Sequence, residues 1–220
     1  MKVFKVGVIA VGVLLAFAGA GVQAQAQSSI GWVDVESVFN KCAAREAGDA
    51  QLTQTGNALR QRLAVLQDSA RLPTSVWTEL RTLLEKATPT EADKTRQAAI
   101  QNQARALDDE LKTLQQTPSP TEEQKRRIND LSGNVAANSG NLQDVAGDYD
   151  RQIEELSAKL RDGIVASIQA AAAQVMKQKN VGIVLNKSVN MGEAASQMIV
   201  VAGGIDLTDD VLKQVNSAKK

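Results

Sequence analysis

The chain has 220 residues, 25 of them basic and 25 acidic, with no histidine and a single cysteine. Without histidine there is no Ser-His-Asp or Cys-His site and no imidazole base, and one cysteine supplies neither an internal disulfide nor a Cys-based zinc site. Aromatic residues make up 3%, too few for a surface that stacks bases, so neither an enzyme nor a nucleic-acid binder is expected. No catalytic, cofactor or metal residue is assigned.

Residues 1–26 read as a signal peptide. Lys2 and Lys5 precede an uncharged apolar run from Val6 to Val22, and small residues follow, with cleavage near Ala24 or Ala26. The mature chain then carries 23 basic against 25 acidic groups. That balance supplies no strong pull on nucleic acid and little on an anionic membrane surface, where contact is left open. Cys42 reads as a small buried apolar residue.

A first short strand is expected at Ile30–Val35, followed directly by helix from Glu36. Leu52, Leu59 and Leu66 then recur every seven residues, interleaved with Gly56, Leu63 and Ala70. All four prolines (Pro73, Pro89, Pro118, Pro120) fall in one window, around a short helix near Trp77 and Leu84 and a stripe of Ile100, Ala104, Leu107, Leu111 and Leu114. Thr88-Pro-Thr-Glu91 and Ser119-Pro-Thr-Glu122 read as helix starts with Thr88 and Ser119 at the N-caps. The two stand 31 residues apart, and the likeness spreads: Leu80-Arg-Thr-Leu83 matches Leu111-Lys-Thr-Leu114, and Lys94 and Arg96 match Lys125 and Arg127. A local duplication follows, though two copies make no solenoid.

From Thr121 to Lys179 there is no proline. Helical throughout, that stretch spans about 88 Å, against a radius of gyration of about 16 Å for a compact globule of this size, so it must project as an arm. Ile128, Leu131, Val135, Leu142, Val145, Tyr149 and Leu156 form a heptad seam, with Asn138 and Gln152 filling its gaps. Ile153, Leu160, Ile164, Ile168 and Val175 broaden it. Gly133, Gly140 and Gly147 fall on the outer face, where each costs about 1 kcal/mol relative to Ala. They read as an exposed face under relaxed selection or as an arm softened to bend. A hairpin with its tip near Pro118–Pro120 balances in length if residues 72–90 are a side excursion and the descent runs through 36–71 and 91–116.

Val181–Leu185 and Gln197–Val201 read as two further strands, the second ended by Gly203-Gly204, and Thr208 as the cap of a last helix. Three short strands form too small a core to close alone, and oligomerisation is the remedy. The fold class is therefore α+β, mostly α: a long antiparallel helical hairpin on a small β body. The body takes residues 27–35 and 180–220, and the arm takes 36–179, with 72–120 irregular or decorated.

The ending Ile205-Asp-Leu-Thr-Asp-Asp-Val-Leu-Lys-Gln-Val215, with the opening Ile30–Phe39, resembles the Skp (OmpH) family of periplasmic chaperones. The resemblance implies a homotrimer in which the body closes by trimerisation and three arms enclose a cavity. It implies a periplasmic holdase that needs no ATP, with unfolded outer-membrane or envelope proteins as partners. Ile30, Trp32, Val33, Val35, Ile183, Leu185, Ile199 and Val201 are the expected trimer body, with Leu207, Val211 and Leu212 packing the last helix onto it. The competing reading is an exported trimeric coiled-coil scaffold with a stiff arm and no affinity for unfolded chains.

Overall fold

The computed structural model describes residues 29–187 and 204–218. Strand β1 (Ser29–Val33) alternates as a strand with one covered face must: Gly31 and Val33 are buried, while Ile30 is 44% exposed. It is the middle strand of a three-stranded sheet, flanked by β2 (Val181–Asn186) and β3 (Ile205–Asp206). Both pairings are parallel. Parallel neighbours need a crossover, and the one joining β1 to β2 is the entire arm.

Val35, expected to end the strand, instead opens helix α1 (Val35–Lys41), because Asp34 takes the cap and its Oδ1 accepts the Ser37 N–H at 2.8 Å. The inner sheet face is covered by α1, by the end of α5 (Glu122–Gln178) and by α6 (Thr208–Ser217). Their core joins Val33, Val38, Cys42, Ile164, Ile168, Ala171, Val175, Val181, Leu207, Val211 and Val215. Cys42 is 2% exposed and also breaks the descent expected to run unbroken from Glu36. The next helix, α2 (Ala43–Asp68), starts afresh there, and its first N–H donates to Asn216 Oδ1 at 3.0 Å.

The C-terminal end differs from expectation in two further ways. Gly204, expected to close a strand, precedes β3 and holds φ +118, a conformation that favours glycine. Thr208 is the first residue of α6 instead of its cap. Its hydroxyl accepts the Asp34 N–H at 3.0 Å, and its own N–H is satisfied by Asp206 Oδ1 at 2.9 Å. The polar groups thus tie two helix starts together. The proposed signal peptide and the strand expected at Gln197–Val201 lie outside the described residues.

In the arm, α2 runs antiparallel to α5. A Cβ at Gly48 would touch Leu160, and one at Gly56 would touch Ile153. The seam follows the heptad from Ile128 to Tyr149 and then departs from it: Gln152 is exposed, and Ile153 packs in its place. Two successive steps of four, Val145 to Tyr149 to Ile153, re-aim the stripe as a stutter does. Leu156, Leu160 and Ile164 then carry it into the body.

The remaining helices are α3 (Thr74–Glu85) and α4 (Glu91–Gln115). Every proline lies at a junction between helices, where a missing N–H costs least. α3 turns back toward the body along α5: Leu72 lies at Asn138, Arg81 at Asp148 (3.1 Å) and Glu85 at Tyr149 (3.5 Å). α4 then descends to the tip. Its first half lies beside α2, with Gln101 and Ala104 next to Val65 and Ser69, where the length argument had it begin beyond the end of α2. Residues 72–90 and the first half of α4 therefore widen the arm, while the second half of α4 carries it past the end of α2, where Arg71 pairs with Asp108. The arm's reach is set by the 57 residues of α5, roughly 85 Å.

Where the four helices lie together they share a second core of Leu59, Leu66, Leu72, Trp77, Leu80, Leu83, Ile100, Ala104, Val145 and Tyr149. The helix starts are displaced by two residues from Thr88 and Ser119, to Thr90 and Thr121. There the box closes both ways. The Thr90 N–H donates to Asp93 Oδ2 (2.9 Å), and the Asp93 N–H donates back to Thr90 Oγ1 (3.2 Å). Thr121 and Gln124 repeat this at 2.8 and 3.2 Å.

Candidate functional site

Among the described residues no cluster of three or more His, Cys, Asp or Glu could hold a metal. The carboxylates with shifted pKa are held in surface ion pairs. Asp93 is lowered to about 2, first by the hydrogen bond from Lys86 and then by the Thr90 backbone N–H. Arg96 lowers Glu79, and Arg127 lowers Glu110. Burial raises Tyr149. Every one of these shifts runs away from neutral pH, so none of these groups is poised for proton transfer there. Two surfaces stand out among the described residues.

The first surface is the outer face of the sheet. Ile30 lies beside Ile183 and Trp32 beside Leu185 in register. Ile30, Ile183 and Leu185 are 44%, 52% and 40% exposed. The Lys187 ammonium sits 4.5 Å from the Trp32 ring centroid at the rim. The register shift at Ser29/Ile30 passes over Gly182, so Val181 turns into the core while Ile183 turns out. Gly31 lets α6 approach the inner face, since a Cβ there would fall 2.6 Å from Leu207 Cδ1.

Of the residues expected in the trimer body, Val33, Leu207 and Val211 are buried within the single chain, and Val35 and Leu212 pack partly against them. Ile30, Ile183 and Leu185 stand on the uncovered face with the half-buried Trp32, and Ile199 and Val201 lie outside the described residues. Sequence reasoning missed Ile205, 44% exposed at the far edge. The signal for it was a β-branched residue directly after a glycine.

The second surface is a groove between α2 and α5 that runs up to the edge of the four-helix core. Leu52, Gly56, Leu59 and Leu63 of α2 face Tyr149 and Ile153 of α5, with Arg60, Asp150 and Glu154 at the rim. Gly133, Gly140 and Gly147 point away from it, and a Cβ at any of them would meet nothing within 4 Å. No described helix is long and apolar enough to cross a membrane.

Residues 77–215, from Trp77 in α3 to Val215 in α6, match the family described as outer membrane protein (OmpH-like). No curated protein matches the chain.

Proposed function

This chain belongs to the OmpH-like family, and on that premise we propose that it is a periplasmic holdase: an ATP-independent chaperone that shelters unfolded outer-membrane proteins between helical arms. The observation that carries the reading is the uncovered apolar sheet face of Ile30, Trp32, Ile183 and Leu185 on a body with three short strands among the described residues. A monomer exposing that face has an aggregation-prone sheet. Three copies turning it inward form a closed body from which three arms project. Strands at Ile199 and Val201 would complete it.

The arms then bound a cavity without any chemistry. The groove between α2 and α5 offers apolar floor and mixed-charge rim, suited to many weak contacts with an unfolded chain. Glycines at 133, 140 and 147, free of packing, let the arm flex to clients of different size. In the near-neutral mature chain, capture rests on these contacts more than on charge steering.

The test is dilution of a urea-unfolded outer-membrane β-barrel protein into the purified protein lacking residues 1–26, read by native mass spectrometry. Three copies with one client is the expected complex. An intact trimer with the client lost to aggregation would favour the envelope scaffold, a reading to which the four-helix block at mid-arm lends stiffness.

A further inference from the structure

The structure carries the sequence likeness between residues 79–96 and 110–127 into three dimensions. Nine of those eighteen positions are identical: Glu79, Leu80, Thr82, Leu83, Pro89, Thr90, Glu91, Lys94 and Arg96 recur 31 residues on. The contacts recur as well. Arg96 holds Glu79 through Nε and a terminal nitrogen, both at 2.7 Å, and Arg127 holds Glu110 the same way at 2.7 and 2.8 Å. Lys94 pairs with Glu91 as Lys125 does with Glu122. The Thr82 hydroxyl donates to the Thr78 carbonyl as that of Thr113 donates to Asp109. Ile100 and Leu131 are the corresponding buried residues. The hairpin α3–α4 is the hairpin α4–α5 built a second time and pointed the other way, with α4 shared by both.

The two copies differ where the fold needs them to. Leu107 of the first corresponds to Asn138 of the second. Asn138 is fully buried, and its amide nitrogen donates to the Ala70 and Leu72 carbonyls, both at 2.8 Å, while Asn134 donates to Arg71 at 3.1 Å. Two side chains of α5 thus hold three successive carbonyls at the point where the chain reverses from α2 into α3. The partner-free Oδ1 of Asn138 marks a polar group kept in the seam at some cost.

Register shows what the arm would be with one copy. The α2–α5 pairing sets Gly56 against Ile153. Continued down the helices, it brings residue 82 opposite Arg127. Removing one copy puts Glu79 there, less than one turn away. A shortened chain would therefore run from α2 straight through α3 to the tip, as a plain two-helix hairpin.

We propose that the middle of the arm is a tandem duplication of one 31-residue helical hairpin that thickens the arm into a four-helix block, and that Asn138 is the positioning residue that latches the added copy back along α5. This holds whether or not the arm shelters clients.

The experiment removes residues 86–116, joining Glu85 to Thr117, and compares this in-phase deletion with an out-of-phase one removing 86–114, whose two leftover residues turn the apolar stripe about 200° away from α5. Each is made with and without Asn138→Leu and read by circular dichroism and thermal melting. The in-phase chain should melt cooperatively with native-like helicity, and the out-of-phase chain should not. Asn138→Leu should lower the melting temperature of the full chain by several degrees, as expected when buried carbonyls lose their donors, and leave the in-phase chain unchanged or more stable. Failure of both deletions to melt cooperatively would overturn the duplication as a structural unit. An equal loss from Asn138→Leu in the full and in-phase chains would overturn the latch. Client binding does not enter either readout.

Discussion

At the scale of single residues, the body depends on a few positions where side-chain size is dictated from across the sheet. Gly31 is the sharpest case. Its missing Cβ would lie 2.6 Å from Leu207 Cδ1 and 3.1 Å from Val181 Cγ1, and Leu207 is fully buried. Gly31→Val should therefore act as overpacking and destabilise by about 1–3 kcal/mol, measured as a lower denaturation midpoint at unchanged slope. A Leu207→Ala change in the same chain should recover part of the loss, because it vacates the space that the valine needs. Trp77 shows the opposite logic, a large residue with every group placed. It is 2% exposed, and its indole N–H donates at 2.9 Å to the Leu66 carbonyl, in the last turn of α2, which also accepts the Ser69 N–H at 3.2 Å.

At the scale of elements, α5 is a continuous helix that tolerates four outward glycines, Gly133, Gly140, Gly147 and Gly163, because the surrounding pairing, not its own propensity, holds it. Gly133→Ala, Gly140→Ala and Gly147→Ala meet open space, so the triple variant should gain up to about 1 kcal/mol at each site, seen as a higher melting temperature. If the arm must bend to accommodate clients, the same variant should hold large clients less well than small ones. Acid sensitivity also belongs here. Asp93, at about 2 in the fold, lies below the usual carboxylate range, and Glu79, Asp108 and Glu110 are lowered too. Depressed carboxylates stabilise above their unfolded pKa and lose that contribution as pH falls through the folded value. With no histidine to titrate, the melting temperature should be flat from about pH 5.5 to 9 and fall below about pH 4. A step between pH 6 and 7 would contradict this. The long helix, the heptad seam and the proline junctions were legible in the sequence because they rest on local periodicity and on rules of chain geometry. The two-residue displacement of the caps was not, since Thr88 and Thr90 are both competent and only the return bond from Asp93 chooses between them. The folding back of α3 was equally hidden: it is decided by Asn134 and Asn138 reaching carbonyls more than sixty residues away.

At the scale of the molecule, the two cores have different standing. The arm core is closed within the chain, since Trp77, Leu80 and Ile100 are buried without help. Among the described residues the body is covered on one face, and its other face carries Ile183 at 52% exposure beside Ile30 at 44%. In the proposed trimer, burial of that face between copies is worth about 25 cal/mol per Å² of apolar surface, and a charge placed there must be either desolvated or left with the interface unformed. Ile183→Asp should therefore yield monomers by light scattering, while Lys213→Asp, an exposed change on α6, should leave the assembly intact. The two tryptophans separate the consequences. Trp32 lies on the affected face and should shift its emission toward that of a solvated indole, whereas Trp77 in the arm core should not. In a chain whose only tryptophan is Trp77, the Ile183→Asp spectrum should match that of the parent. A stable trimer formed by the Ile183→Asp variant would mean that this face lies outside the interface, and that the copies meet instead along the arms.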